Sequence, residues 1–485
     1  MPAEPGPLPL PPAPESRLPD GFVVRLAPAT VRRDDGATLL GGSPMRMLRL
    51  SARARALLDG DRLAVRDATS ATLAARLLDA GVAHPELGRR APEGVTVVVP
   101  VRDRPGPLAR LLAALRADPD TAAVPVLVVD DGSRDPAAVR DAAATAGAEV
   151  LRHPVSRGPA AARNTGLGGV RTPLVAFLDS DCVPRPGWLA ALGPHLADPR
   201  VAVVAPRIVP LGGGGGWTAG YESVAGALDM GERPAPVRPY SEVPYVPSAA
   251  LLARAGALGA GFDAALRVAE DVDLVWRLAA AGWRVRYEPA GEVAHEHPAT
   301  TVRWLRRRAF YGTGAAPLAA RHGAAVAPVV ISPWSAAAWA LVVLPTGRWT
   351  RPARAAAAGV LGLSAARLAR RLGGTGGRPP VLLSARLVVR GSGLGGRTLA
   401  RAAVRSYWPL TLAAALLSRR ARRWALLAAA ADAGTGWWPL RRAVGPVRFA
   451  VARRLDDLAY GAGVWAGAVR ALSAGALLPA RPPEL

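Results

Sequence analysis

VTVVVPVRDRPGPLARLLAALRADPDTAAVPVLVVDDGS, residues 95–133, decides the fold of this chain. Two of its runs, VTVVV and VLVV, lack the polar alternation of a half-solvated strand, so each must be covered on both faces. Between them, LARLLAALRA has the three-to-four spacing of an amphipathic helix. The alternation continues downstream through PAAVRDAAATAG, AEVLRH, GPAAARNTGLGG, PLVAFLD, GWLAALGPHLA and VAVVAP. Strand and helix in this rhythm predict an α/β domain whose mostly parallel sheet carries helices on both faces. Ligands of such sheets bind beyond the carboxyl ends of the strands, so polar residues that close a strand are the first candidates for chemistry.

Three acidic pairs stand in such places. Asp130 and Asp131 close the second strand ahead of a Gly turn, where they can accept from a base imide and a ribose hydroxyl or, alternatively, cap the next helix. FLDSDC puts Asp179 and Asp181 one residue apart after an apolar run, a spacing that offers two hard oxygen ligands to Mg²⁺ or Mn²⁺ while a diphosphate supplies others. Glu270 and Asp271 open a helix in RVAEDVDLVWRLAAAGW, where the helix dipole favours acids and where a sugar acceptor needs a carboxylate base. Asp271 is the expected base, with Glu270 orienting it or the acceptor. His295, in VAHEH, is the expected imidazole at the metal. The chain has no Lys, no Gln and a single Asn, Asn164, beside Arg163. In a composition that looks shaped by a GC-rich genome, such a rare residue points to a needed polar contact, with the nucleotide sugar or with the strand-edge acids.

The flanks differ in character. Residues 1–17 form a Pro-rich arm with neither the basic nor the apolar part of a signal peptide. Residues 18–90 combine short strands (FVVRLAP, ATLLGG) with amphipathic helices (ARARALLDG, ATLAARLLDAGVA), a small winged-helix-like unit. The catalytic domain is expected over 94–300, and a basic, apolar, helical region over 301–485. The net charge of +24 resides in that last region: 28 Arg and 4 acids, against 33 of each before it. Its arginines alternate with apolar runs and nine of the thirteen Trp, which favours anionic membrane lipids over nucleic acid as partner. The stretch 323–347 holds 25 residues without a charge, long enough to span a bilayer, although Pro328, Pro333 and Pro345 argue for an interfacial or re-entrant attachment. The single cysteine, Cys182, excludes an internal disulfide and fits a reducing compartment. The cytoplasmic face of the cell membrane is the expected location.

Taken together, TVVVPVRDRP, VVDDGS, GPAAARNTG, AFLDSDCVP, the Glu-Asp pair and the final VAH come in the order of the inverting family 2 glycosyltransferases of GT-A, Rossmann-like fold, which residues 95–298 resemble. The resemblance implies that Pro100, Asp103, Asp130, Asp131 and Asp179 contact the nucleotide sugar, that Asp179 and Asp181 hold metal and diphosphate, and that Asp271 is the base. The small N-terminal unit, which resembles PqqD-like peptide-recognition domains, together with RSYWPLTLAAALLSRRARR and LDDLAYGAGVWAGAVR, is similar to mycofactocin-system glycosyltransferases. That likeness implies glucose transfer from UDP-glucose to a peptide-derived acceptor, followed by extension of a β-linked chain. RRWAL stands where processive synthases carry QxxRW, which argues against long polymers. Two alternatives remain: a family 2 transferase of cell-envelope polysaccharide, and an inactive membrane-associated protein that presents peptides through its N-terminal unit.

Overall fold

The computed structural model describes residues 6–12, 16–212, 217–298, 300–373 and 380–482. These fall into two compact units, one of residues 1–215 and 225–298, the other of 216–224 and 299–484.

The first unit is built on a nine-stranded sheet of β1 (Val95–Val101), β2 (Val126–Asp131), β3 (Glu149–His153), β4 (Leu174–Leu178), β5 (Cys182–Pro184), β6 (Val201–Pro210), β7 (Ala235–Pro236), β8 (Ala250–Arg254) and β9 (Arg284–His295). Its order is β5-β9-β6-β8-β4-β1-β2-β3, with β7 alongside β9. Helices α1 (Pro105–Ala117), α2 (Pro136–Ala144), α3 (Pro159–Gly169), α4 (Trp188–Leu192) and α5 (Glu270–Ala280) accompany it. β1 and β2 are unexposed almost throughout, as their unbroken apolar runs require; Val97, Val98, Val99, Val128 and Val129 are fully buried.

The sheet is mixed, which corrects the expectation of a mostly parallel one. β4, β1, β2 and β3 pair parallel, and so do β6 and β9. β8 runs antiparallel to both β4 and β6, and β5 antiparallel to β9. The apolar ALLAR of β8 can be held in mid-sheet in either direction, because side chains buried on both faces do not encode strand polarity.

Residues 18–90 have a core of their own, including Leu39, Leu63, Ala74, Leu77 and Val82. Strands Val23–Leu26, Arg62–Ala64 and Ala83–Glu86 make one three-stranded sheet, and Val31–Arg33, Thr38–Gly41 and Arg46–Arg49 a second. Helix Ala68–Ala80 opens on a capping box at Asp67 and Ser70.

The second unit is helical. Helices Thr301–Thr313 and Pro446–Arg470 cross so closely that a Cβ on Gly463 would stand 1.9 Å from the Ala309 carbonyl oxygen. Three of the region's four acids, Asp432, Asp456 and Asp457, are buried and paired with Arg308, Arg401, Arg405, Arg453 and Arg454. The uncharged stretch 323–347 is divided: a short 3-10 turn at Gly323–Val326, an eleven-residue helix at Pro333–Val343, and another turn at Gly347–Trp349. Eleven helical residues reach roughly 16 Å, about half of a bilayer's apolar core. Among the described residues no helix is long and apolar enough to cross a membrane, so the spanning alternative for this stretch is set aside.

Candidate active site

β1, β2 and β4 are parallel, and the chain leaves all three at the same edge of the sheet, where Asp103, the Asp130–Asp131 pair and Asp179 are delivered. Pro100 lies within β1, next to its last residue. Asp103 follows in the left-handed region, at φ 56°. Its amide donates to Ser133 Oγ at 2.9 Å and its Oδ1 accepts from the Arg134 amide at 2.8 Å, so the loops after β1 and β2 are laced together. The Asp103 side chain stays exposed.

The pair on β2 is turned inward. Asp130 accepts from the Ser133 amide at 2.8 Å and from Arg152. Asp131 accepts from His153 Nδ1 at 2.8 Å, Ser156 Oγ at 2.7 Å and the amides of Arg157 and Gly158 at 2.7 and 2.9 Å. Burial opposes its ionisation, but these donors together hold the carboxyl below its ordinary range. Both acids therefore shape the loop wall from inside, and Asp103 is the acid of this corner that faces solvent.

Arg163 is the hub of the site. On α3, with 3% of its surface exposed, it donates from Nη1 to Glu270 at 2.9 Å and from Nη2 to Asp179 at 2.5 Å, and its guanidinium lies 5.4 Å from the centre of the Phe262 ring. One arginine thus joins the acid that ends β4 to the acids that open α5. Burial works against its charge, yet the Asp179 and Glu270 carboxylates prevail and raise its pKa. Glu270 receives only part of that compensation. Its own burial, with the Asp271 carboxylate next in line, outweighs Arg163 and pushes it up to about 7.

Asp271 accepts from the Ser248 amide at 3.0 Å and from the Val272 amide at 2.8 Å, yet burial still raises its pKa. The turn into α5 passes through Ala269 at φ 65°. This tight entry sets both carboxylates at the first turn, where the dipole favours them.

Asn164, beside Arg163 on α3, grips the backbone of Phe262. Its Nδ2 donates to the Phe262 carbonyl at 2.6 Å and its Oδ1 accepts from the Phe262 amide at 2.8 Å. One Nδ2 hydrogen and Oδ1 are thus spent as a backbone partner would spend them, so Asn164 pins the loop beneath the Phe262 ring. Gly261, at φ 77°, is required there because a Cβ would stand 2.4 Å from Asn164 Oδ1.

At the metal candidates, Asp181 pairs with Arg104, and His295 Nε2 stands 3.5 Å from Asp181 Oδ1. β5 and β9 set this proximity, since Cys182 and His295 are register partners. Asp179 is turned toward Arg163. Among the described residues, no three His, Cys, Asp or Glu side chains converge as a ready cage. Two carboxylates and one imidazole nevertheless suit a hard divalent cation that takes its remaining ligands from a diphosphate. Cys182 is buried, its thiol donates to the Ala249 carbonyl at 3.4 Å, and burial beside Asp179 and Asp181 raises its pKa, so it acts as a filler and not as a nucleophile.

The residues missed in the sequence are the partners of these acids. Arg104, Arg152 and Ser248 carry no motif of their own. Arg104 alone had a signal, its place in VRDRP beside Asp103.

A family model described as Glycosyl transferase family 2 matches residues 96–257. Over 479 residues the chain is 47% identical to the pre-mycofactocin glycosyltransferase of Mycobacterium tuberculosis, in strains CDC 1551 and H37Rv alike, covering 96% of this chain and 98% of that protein. The chain belongs to the pre-mycofactocin glycosyltransferase family. A shorter likeness, 37% over 105 residues and 30% of the other protein, is to the succinoglycan biosynthesis protein ExoU of Rhizobium meliloti. The solved mannosyltransferase PcManGT from Pyrobaculum calidifontis, in complex with GDP-Man and Mn²⁺, is similar at a TM-score of 0.39 and 19% identity, over 77% of this chain and 90% of that one. In this glycosyltransferase the family 2 match ends before Glu270, Asp271 and His295. Those three join the site through its geometry.

Proposed function

We propose that this glycosyltransferase moves glucose from UDP-glucose to pre-mycofactocin with inversion at the anomeric carbon, and then extends a short β-linked glucan. The observation that carries the reading is the Arg163 bridge, which brings the donor-side Asp179 and the acceptor-side Glu270 and Asp271 into one charge network. In a single displacement, the acceptor hydroxyl oxygen forms the bond to the anomeric carbon as the bond to the UDP oxygen breaks. Asp271 takes the hydroxyl proton, and burial, which raises the pKa of this carboxyl, makes it a stronger base than an ordinary aspartate. Glu270 orients the acceptor or the base. On the donor side, Asp103, Asp130, Asp131 and Pro100 form the wall for the nucleotide. Asp179, Asp181 and His295 would hold Mg²⁺ or Mn²⁺, which supplies charge neutralisation for the departing diphosphate.

The second unit supports attachment to anionic lipids at the cytoplasmic face of the cell membrane. Leu410, Leu412, Leu416 and Leu417 are exposed on helix Trp408–Leu417, and exposed Arg419, Arg422 and Arg423 follow directly.

The deciding experiment incubates the full-length protein and Mn²⁺ with pre-mycofactocin and, separately, UDP-glucose, UDP-galactose or GDP-mannose, with mass analysis of the products. Hexose additions from UDP-glucose alone, first one and then several, are expected. No transfer from any nucleotide sugar overturns the reading, and transfer to a lipid-linked glycan but not to pre-mycofactocin would favour the cell-envelope alternative.

A further inference from the structure

The seam between residues 18–90 and the catalytic domain holds a cleft of about 210 Å³. Phe22, Leu78, Pro85 and Trp283 give it an apolar side, and its charged lining is four arginines, Arg200, Arg238, Arg284 and Arg286, against two aspartates, Asp79 and Asp198. The aspartates are already taken. Arg284 donates to Asp79 at 2.8 Å and to Asp198 at 2.6 Å, and Arg200 reaches Asp79 at 3.4 Å.

Among the described residues two arginines hydrogen-bond to no carboxylate, although Glu288 and Asp198 act on Arg286 at longer range and Asp79 on Arg238. Among the described residues Arg238 donates to the backbone carbonyls of Asp79 and Ser43, at 2.7 and 3.4 Å. Arg286 has 4% of its surface exposed, and among the described residues its side chain hydrogen-bonds to His84 Nδ1, at 3.2 Å. The Nε of each is buried without a hydrogen-bond partner, and so is His195 Nδ1 in the same lining. A buried cation with no hydrogen-bonded counter-ion is costly, and each orphaned polar atom adds to that cost. The environment responds accordingly: burial lowers Arg286 to about 10, and burial together with Arg286 lowers His84 to about 4, so His84 stays neutral and accepts.

These surplus charges ask for an anion with an apolar body. His195 adds a further demand. Its Nε2 lies 3.0 Å from the Glu288 carboxylate and carries the proton there, which leaves Nδ1 an acceptor for a ligand N–H. We propose that this cleft binds the carboxylate of an N-acylated amino acid with an apolar side chain, either free or as the C-terminus of a peptide. Arg286 and Arg238 take the carboxylate, His195 Nδ1 the adjoining N–H, and Phe22, Leu78 and Trp283 the side chain. The site is separate from sugar transfer. Arg286 pairs with Val204 and His295 with Pro210 on the neighbouring β6, so roughly 20 Å of sheet lies between this cleft and the metal candidates. A ligand here would clamp the N-terminal unit to the catalytic domain and stabilise both by mass action.

Calorimetric titration of the full-length protein with N-acetylphenylalanine, its C-terminal amide and acetate tests this. The acid is expected to bind at least tenfold more tightly than either of the other two. Arg286→Gln and, independently, the less buried Arg238→Gln should each weaken it at least tenfold while UDP binding stays unchanged. A tripeptide ending in phenylalanine separates the sources: binding equal to the acid assigns a peptide terminus, and loss of binding a free acid. Equal affinity for acid and amide, absence of binding at millimolar acid, or full binding by both variants overturns the proposal.

Discussion

Replacing Arg163 with Gln should be the most damaging single change in the site. The Glu270 arm is fully enclosed, with side-chain exposures of 4% and 9% for the two partners, whereas Asp179 is 29% exposed. Removing one member of a buried, hydrogen-bonded ion pair costs about 3–5 kcal/mol. Water can reach Asp179 and screen part of the loss, so the lower figure, about 3 kcal/mol, applies above neutrality. In a unit of this size that corresponds to roughly 6–12 °C in melting temperature. The cost also depends on pH. Glu270 already titrates at about 7 with Arg163 present, so below pH 7 it can take a proton instead of standing as an uncompensated charge. Differential scanning calorimetry of the parent and R163Q at pH 8 and pH 6 should therefore show a large destabilisation at the first and a smaller one at the second. Melting within 2 °C of the parent at pH 8, or a loss that does not shrink at pH 6, would refute the hub role of Arg163.

Three further outcomes are expected. Asp271→Asn should keep UDP binding within about twofold and lower kcat by 10²–10⁴, the usual contribution of a general base, as read by equilibrium binding beside a transfer assay; loss of UDP binding would move Asp271 to the donor side. Because the Glu270 pKa is raised above its unfolded value, the stability it contributes is present below about 4.5 and is lost as pH rises through about 7. Glu270→Gln should thus melt with the parent at pH 4 and above it at pH 8, and coincident melting at pH 8 would contradict the burial argument. In flotation assays the full-length protein should rise with vesicles rich in phosphatidylglycerol at low salt and be released by high salt, whereas a protein that stays at the bottom in low salt refutes the lipid reading.

The order of elements from Val95 to Pro206 was legible because burial on both faces leaves an unbroken apolar run in the sequence, and because a helix spaces its apolar residues differently. Strand direction was not. The insertion of β8 between β4 and β6 is fixed by what flanks it in space, and ALLAR reads the same whichever way it runs. In the stretch 323–347 the prolines, which argue against a continuous spanning helix, were the legible signal. The chain there divides into a helix of eleven residues and two turns.

The candidate site shows a sharper division. Its acids could be found because strand ends and helix starts announce themselves, but the task of each acid depends on its donors, and those come from afar in the chain. Asp131 and Asp179 both follow an apolar strand, and nothing adjacent distinguishes them. Asp131 is saturated by His153, Ser156 and two amides, whereas Asp179 shares a single arginine with Glu270, 91 residues downstream, leaving it open to a further cation. Asn164 was singled out by rarity, and rarity identified a residue the fold needs without saying that the need was a backbone partner for Phe262. A chain with 61 arginines makes the same point in reverse: Arg163, Arg104 and Arg286 are indistinguishable by composition, and only burial and hydrogen-bond partners separate a bridge between two carboxylates, a partner of a metal candidate and a buried cation whose hydrogen bond goes to a neutral histidine.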